Sequence, residues 1–231
     1  MTIAGCYVAG PDLALLWSDT EVFAGARSSG HSNKLTVSAG GAMACTGAGW
    51  ASLNDAAAQI VSRALDVDDA ASRMGEPLRQ TALRMCRDPH RDPADIARHT
   101  VCLAGWSGRS RRVLAYECGG GALFQAVLTT RYASPEPDDW IAGFRPDDPR
   151  SLAALAQRQL GKLRQTWPEA QGGTLALAVI RPGHVEAGPF LDFGTGRLLW
   201  PGLTGSCHAE AEPPASGLAI EGPAERVVEA A

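Results

Sequence analysis

Residues 2–9, Thr-Ile-Ala-Gly-Cys-Tyr-Val-Ala, and residues 13–18, Leu-Ala-Leu-Leu-Trp-Ser, stand on either side of Gly10-Pro11-Asp12. Both runs are apolar, and the three residues between them have turn chemistry. The pair therefore reads as a β-hairpin whose first strand starts at the second residue of the sequence. A Gly- and Ser-rich stretch, residues 24–33, reads as a loop. Behind it, residues 34–39 and 42–46 read as a second hairpin across Gly40-Gly41. Four short strands are thus expected before any helix.

Outward from these hairpins the period changes. Ser52-Leu53-Asn54-Asp55 has the form of a capping box, and Leu53, Ala56, Ala57, Ile60, Ala64 and Leu65 share one face at helical spacing. Pro77 suits the first turn of a second helix with Leu78, Thr81, Ala82, Met85 and Cys86 on its apolar side, ending near Asp88-Pro89. Residues 100–105, 112–118 and 122–130 read as strands, the last two joined by Gly119-Gly120-Gly121. Ser151 is expected to cap a third helix with Leu152, Leu155, Ala156, Gln159, Leu160 and Leu163 in phase, and residues 174–180 and 185–190 supply two late strands.

Each amphipathic helix needs a sheet to cover, and each sheet needs a second face buried. The order strands, helices, strands, helix, strands is then met economically by an α+β fold, a four-layer αββα sandwich of two antiparallel sheets flanked by helices. Residues 1–199 are expected to form that domain. Residues 200–231, rich in Pro, Ala, Glu and Gly, are expected to be an extended or disordered tail.

Of the 231 residues, 45% are hydrophobic and 20% charged, and the net charge is −4. Arginines dispersed among acids form no basic stripe, which argues against a nucleic-acid partner. No run approaches the roughly 20 apolar residues that cross a bilayer, and residues 1–10 lack the charged start of a signal peptide. The expectation is a cytoplasmic protein with no membrane partner. The six cysteines include no CxxC pair and sit mostly in apolar runs, which predicts buried free thiols. The five histidines show no HxxxH or HxH spacing, so no metal and no cofactor are expected.

Position two holds the chemistry of greatest interest. Removal of an initiator Met before a small residue would leave Thr2 with a free α-amine. A threonine hydroxyl is a poor nucleophile by itself, and an α-amine with a reference pKa of about 7.7–8.0 is a base suited to taking its proton.

Thr2-Ile3-Ala4-Gly5, Trp17-Ser18-Asp19-Thr20, Ser32-Asn33-Lys34-Leu35 and Cys45-Thr46-Gly47-Ala48-Gly49 resemble, in order and spacing, the successive N-terminal motifs of proteasome β subunits and the related bacterial HslV peptidase. Residues 172–180, Gly-Gly-Thr-Leu-Ala-Leu-Ala-Val-Ile, are similar to that family's penultimate strand. The resemblance implies Thr2 as nucleophile, Lys34 beside its hydroxyl, Asp19 bonded to Lys34, and the Gly47 N–H as donor to the developing oxyanion. It also implies a peptide or amide substrate and a homo-oligomeric ring around shielded sites, with room for an ATPase or other regulatory partner that the residues do not identify.

Glu21 stands where the pattern usually has arginine, and Pro168-Glu169-Ala170-Gln171 replaces the pattern's Asp-x-x-Ser before Gly-Gly. The serine expected near the α-amine aligns either with Cys118-Gly119-Gly120 or with Thr129-Thr130-Arg131-Tyr132. Glu21 is expected to be a non-catalytic replacement. Cys6, exposed by autoprocessing after Gly5, is a lesser alternative nucleophile. An inactive assembly protein of the same fold and a small-molecule amidase are the competing functions.

Overall fold

The opening hairpin forms: β1 (Ala4–Gly10) pairs antiparallel with β2 (Leu13–Asp19), with a bulge between Val8 and Gly10. The computed structural model describes residues 2–24 and 27–200. β2 is buried along nearly its whole length because it runs through the middle of its sheet, between β1 and β11 (Thr174–Arg181), with both faces covered. Gly5 lies opposite Trp17, and a Cβ there would come within 2.0 Å of the indole, so only glycine lets the ring lie across the strand.

The chain continues through β3 (Glu21–Ala24), β4 (Arg27–His31), β5 (Thr36–Val37), β6 (Met43–Ala48), β7 (Thr100–Ser107), β8 (Arg112–Gly119), β9 (Ala126–Thr129), β10 (Arg131–Ser134) and β12 (His184–Asp192). The first sheet has the order β10-β1-β2-β11-β12, the second is a ribbon of β3 and β4, and the third has the order β5-β6-β7-β8-β9. All described pairings are antiparallel.

The expected four-layer αββα sandwich of two sheets is corrected by this topology. The described residues form three antiparallel sheets, and twelve strands outweigh five α-helices, two of which have only four and five residues. The extra sheet arises where the Gly- and Ser-rich stretch read as a loop. Its backbone pairs with Glu21–Ala24 even though its composition lacks strand-forming side chains.

Strand alternation sorts the core. Ala14 and Leu16 of β2 join Cys6, Ala178, Ile180, Ala44, Cys102, Ala104 and Ala115 in one cluster drawn from both five-stranded sheets. Leu15 and Trp17 instead join Leu152, Leu155, Leu160 and Leu163 of α5 (Pro149–Thr166). The third cluster sets Met43, Val101 and Leu103 against Leu53, Ala57 and Ile60 of α1 (Ala51–Val61) and Val67, Met74 and Leu78 of α2 (Val67–Met85).

Helix starts differ from expectation in instructive ways. α1 begins at Ala51 with Trp50 as its N-cap and no side-chain cap, because an indole offers no acceptor, and Asn54 donates to the Gly47 carbonyl. α2 begins at Val67 rather than Pro77, capped by the Asp66 side chain on the Asp69 N–H. Pro77 lies inside it, at a cost of about 3 kcal/mol, which the continuous buried stripe from Val67 to Met85 offsets. Asp148, not Ser151, caps α5. Two short helices, α3 (Pro93–Ala97) and α4 (Trp140–Gly143), and strand β10 were not anticipated. Cys6, Cys45, Cys102 and Cys118 are buried free thiols, whereas Cys86 is exposed and Cys207 lies outside the described residues. Of the expected tail, Trp200 packs partly buried on the α5 cluster, and residues 201–231 lie outside the described residues. Among the described residues no helix is long and apolar enough to cross a membrane.

One buried side chain ties these elements to the start of the chain. Gln159 of α5 accepts from Trp17 Nε1 at 2.9 Å and donates to the carbonyls of Ala4, Ser134 and Pro135 at 3.1, 3.0 and 3.3 Å. Gln159→Leu keeps the volume and strips these partners. It should destabilise the protein by about 3 kcal/mol or more, since each buried polar group left unpaired costs about 1–3 kcal/mol. An unchanged urea midpoint would refute this role.

Candidate functional site

The register of β1 and β2 decides what meets at one end of the first sheet. Ala4 lies opposite Ser18, and the Asp19 N–H donates to the Ile3 carbonyl at 2.8 Å, which draws Thr2 alongside the end of β2. The first sheet stops at Asp19, and after Thr20 the chain enters the ribbon at Glu21. Lys34 arrives from the segment before β5, where the Asn33 side chain accepts from the Leu35 N–H at 3.1 Å and fixes the local turn.

Lys34 Nζ then donates to Thr2 Oγ1 at 3.1 Å, to Asp19 Oδ1 at 2.7 Å and to the Glu21 carbonyl at short range. An ammonium has three protons, and all three are used. Thr2 is 3% exposed, and the Lys34 and Asp19 side chains are 10% and 0% exposed. Burial pushes the Asp19 carboxyl up to about 6, against the Lys34 ammonium, which pulls it down, and with a smaller upward push from Glu21. At neutral pH Asp19 is therefore ionised and paired. The chemical capacity of this arrangement is a cation fixed against a threonine hydroxyl, able to stabilise an alkoxide there.

The three expected residues Thr2, Asp19 and Lys34 thus come together. Gly47 does not join their hydrogen bonds. It lies on β6 opposite Val101, its carbonyl accepts from Asn54 Nδ2 at 3.3 Å, and a Cβ there would meet Asn54 Oδ1 at 2.1 Å and the Thr100 carbonyl at 3.0 Å. Cys6 is fully buried, and burial, with a contribution from Glu117, pushes its thiol up to about 12, which removes the thiolate a nucleophile needs. His99 is buried too. Burial holds it down to about 3, and its neutral ring accepts from the Trp50 N–H at 2.9 Å, an anchoring role at the start of α1.

Two neighbours escaped the sequence reading. Glu21 is fully buried, and its Oε2 accepts from the N–H groups of Gln171 and Gly172 at 2.9 and 2.6 Å. The departure from the family pattern at positions 21 and 168–171 was the visible signal. Ser134 lies opposite Ala4 on β10, whereas Arg131 and Tyr132 of the second candidate segment pair farther along β1, opposite Tyr7 and Cys6. Both segments weighed for that serine end before position 134, and β10 itself was not anticipated. Beyond Lys34, a groove of about 520 Å3 follows the same end of the sheet, lined by residues that include Thr20, His31, Asn33, Gln171, Thr174 and Asp192. Among the described residues no three His, Cys, Asp or Glu side chains converge as metal ligands.

No protein-family model matches the chain, and comparison with curated proteins gives no match.

The raised Asp19 pKa has a consequence for stability. The folded state holds this proton more tightly than the unfolded chain, so the associated stabilisation is present below pH 3.8 and is lost as pH rises to about 6. Over that window wild type should lose stability relative to Asp19→Asn, and above it the difference should level off. Thermal denaturation of both proteins across pH 4–8 would measure it, and parallel curves would contradict the assignment.

Proposed function

We propose that this chain is a threonine-type N-terminal-nucleophile hydrolase that cleaves peptide or other amide bonds through an acyl-enzyme. The observation that carries the reading is the Lys34 ammonium on Thr2 Oγ1, held there by Asp19 and the Glu21 carbonyl. The resemblance of the surrounding motifs supports the same chemistry.

In this reading, release of Met1 frees the Thr2 α-amine. Thr2 Oγ1 attacks the substrate carbonyl carbon, and the α-amine takes the hydroxyl proton. Lys34 stabilises negative charge as it develops on Oγ1. Collapse of the tetrahedral intermediate breaks the C–N bond, the leaving amine takes the proton from the α-ammonium, and an ester on Thr2 remains. Water then attacks that ester with the α-amine again as base, which releases the carboxylic acid and restores the hydroxyl. Cytoplasmic location and assembly into a homo-oligomeric ring belong to the same proposal. Leu123, Val127 and Leu128, which are exposed on or beside β9, are apolar groups that such contacts could bury.

The second reading is an inactive assembly protein, which the burial of Thr2 favours. Protein verified by intact mass to lack Met1 separates the two. A β-lactone or peptide boronate should bind at Thr2, and Thr2→Ala should abolish binding. Lys34→Ala should slow acylation by about a hundredfold or more, because it removes charge stabilisation and not core packing. Labelling that persists in Thr2→Ala or moves to Cys6 would refute the nucleophile. Native mass spectrometry should show many 24.2 kDa subunits together, and a stable monomer at micromolar concentration would remove the ring.

A further inference from the structure

Among the described residues two carboxylates are fully buried, Asp19 and Glu21. Lys34 pairs with the Asp19 carboxylate but takes only the main-chain oxygen of Glu21. The Glu21 carboxylate points to the N–H groups of Gln171 and Gly172 instead, and its Oε1 finds no partner among the described residues. A buried charge held by backbone dipoles alone is expensive, so its position calls for a reason.

The backbone that receives it is unusual. Gly172 and Gly173 follow one another at φ +80° and +62°, a conformation glycine takes without strain, directly after the Gln171 and Gly172 N–H groups that converge on Glu21 Oε2. The residue that follows is stapled as well: the Thr174 N–H donates to Thr20 Oγ1 at 3.1 Å, and β11 then runs along β2 with Leu175 opposite Asp19. Thr20 and Glu21 together therefore hold the entry to β11 against the end of the sheet where Thr2 and Lys34 meet.

We propose that Glu21 is a positioning residue for chemistry at Thr2: its carboxylate clamps the Gln171–Gly173 turn beside the site, while its carbonyl directs Lys34 toward the threonine hydroxyl. This rests on the reading of Thr2 as nucleophile. It replaces the expectation that Glu21 is a tolerated substitution.

The charge of Glu21 supplies a second readout. The charged groups acting on Asp19 are Lys34, Glu21 and the amino terminus, with His31 across the ribbon from Glu21. Glu21 raises the Asp19 carboxyl, so neutralising it should let Asp19 ionise, and hold Lys34, at lower pH.

The experiment compares wild type, Glu21→Gln and Glu21→Ala, each shown by mass to lack Met1. It reads amide hydrogen exchange at Gln171 and Gly172 and, separately, the pH profile of Thr2 acylation by a β-lactone. In Glu21→Ala both amides should exchange about tenfold faster or more, and acylation should slow by about tenfold or more. Glu21→Gln retains an oxygen that accepts both N–H groups, so exchange should stay within about threefold of wild type and most of the rate should return, with the acid limb moved to lower pH. Wild-type acylation in Glu21→Ala, or unchanged exchange there, overturns the proposal. If Glu21→Ala does not fold, the Glu21→Gln profile decides: an acid limb in its wild-type place overturns it. A wild-type protein that is never acylated removes the Thr2 reading and the catalytic part of this proposal, whereas the exchange rates still determine whether the clamp exists.

Discussion

A single ammonium group, nearly sealed from water and bonded to a hydroxyl, a carboxylate and a main-chain carbonyl, sets the constraint on this end of the molecule. Removing such a charge from water costs several kcal/mol, and the cost is recovered only if its donors find well-placed acceptors. Here the acceptors come from three separate places: the start of the chain, the end of β2 and the start of β3. The β1–β2 register, the break after Asp19 and the approach of the Asn33–Leu35 turn all have to agree for Lys34 to be satisfied. A one-residue slip of β1 would turn Thr2 to the opposite face and leave a buried cation one acceptor short.

Rigidity at that end comes from behind it. β2 sits between β1 and β11 with both faces buried, so it cannot shift without repacking two clusters at once. The cluster shared by the five-stranded sheets is rich in Ala and Cys, short side chains that let the two sheets approach closely. The cluster toward α5 holds Trp17, Trp140 and Phe144 in edge-on contacts. Gln159 fastens the indole of that second cluster to the carbonyls of Ala4 and Ser134. Packing beneath the sheet and polar geometry at its end are consequently one mechanical unit.

Periodicity made the two long hairpin strands, β7, β8, β11, β12 and the buried face of α5 legible, because strong alternation or a clean helical stripe survives without knowledge of neighbours. It failed where tertiary context outweighs local signal. Arg27–His31 pairs as a strand despite its Gly and Ser content, and Pro77 is carried inside α2 by the stripe on either side of it. The site divided in the same way. Thr2, Asp19 and Lys34 were readable because each stands at an element end in a recognisable order. The role of Glu21 was not, since its partners are backbone N–H groups about 150 residues away, and a main-chain donor leaves no mark in sequence.

The departures at positions 21 and 168–171 make more sense together than apart. In the pattern the sequence resembles, arginine stands at 21 and an aspartate precedes the Gly-Gly turn at 168. Here the acid is at 21 and proline at 168. Gly-Gly stands at 172–173, and the N–H groups of Gln171 and Gly172 point to position 21. An arginine at 21 would face those donors with more donors, whereas a glutamate meets them with an acceptor. The carboxylate that meets the turn is thus tethered to the strand whose Glu21 carbonyl also holds Lys34. It couples the turn directly to the cation, so that a displacement of Glu21 is felt at Thr2 through the carbonyl and at Gly172 through the carboxylate in the same movement.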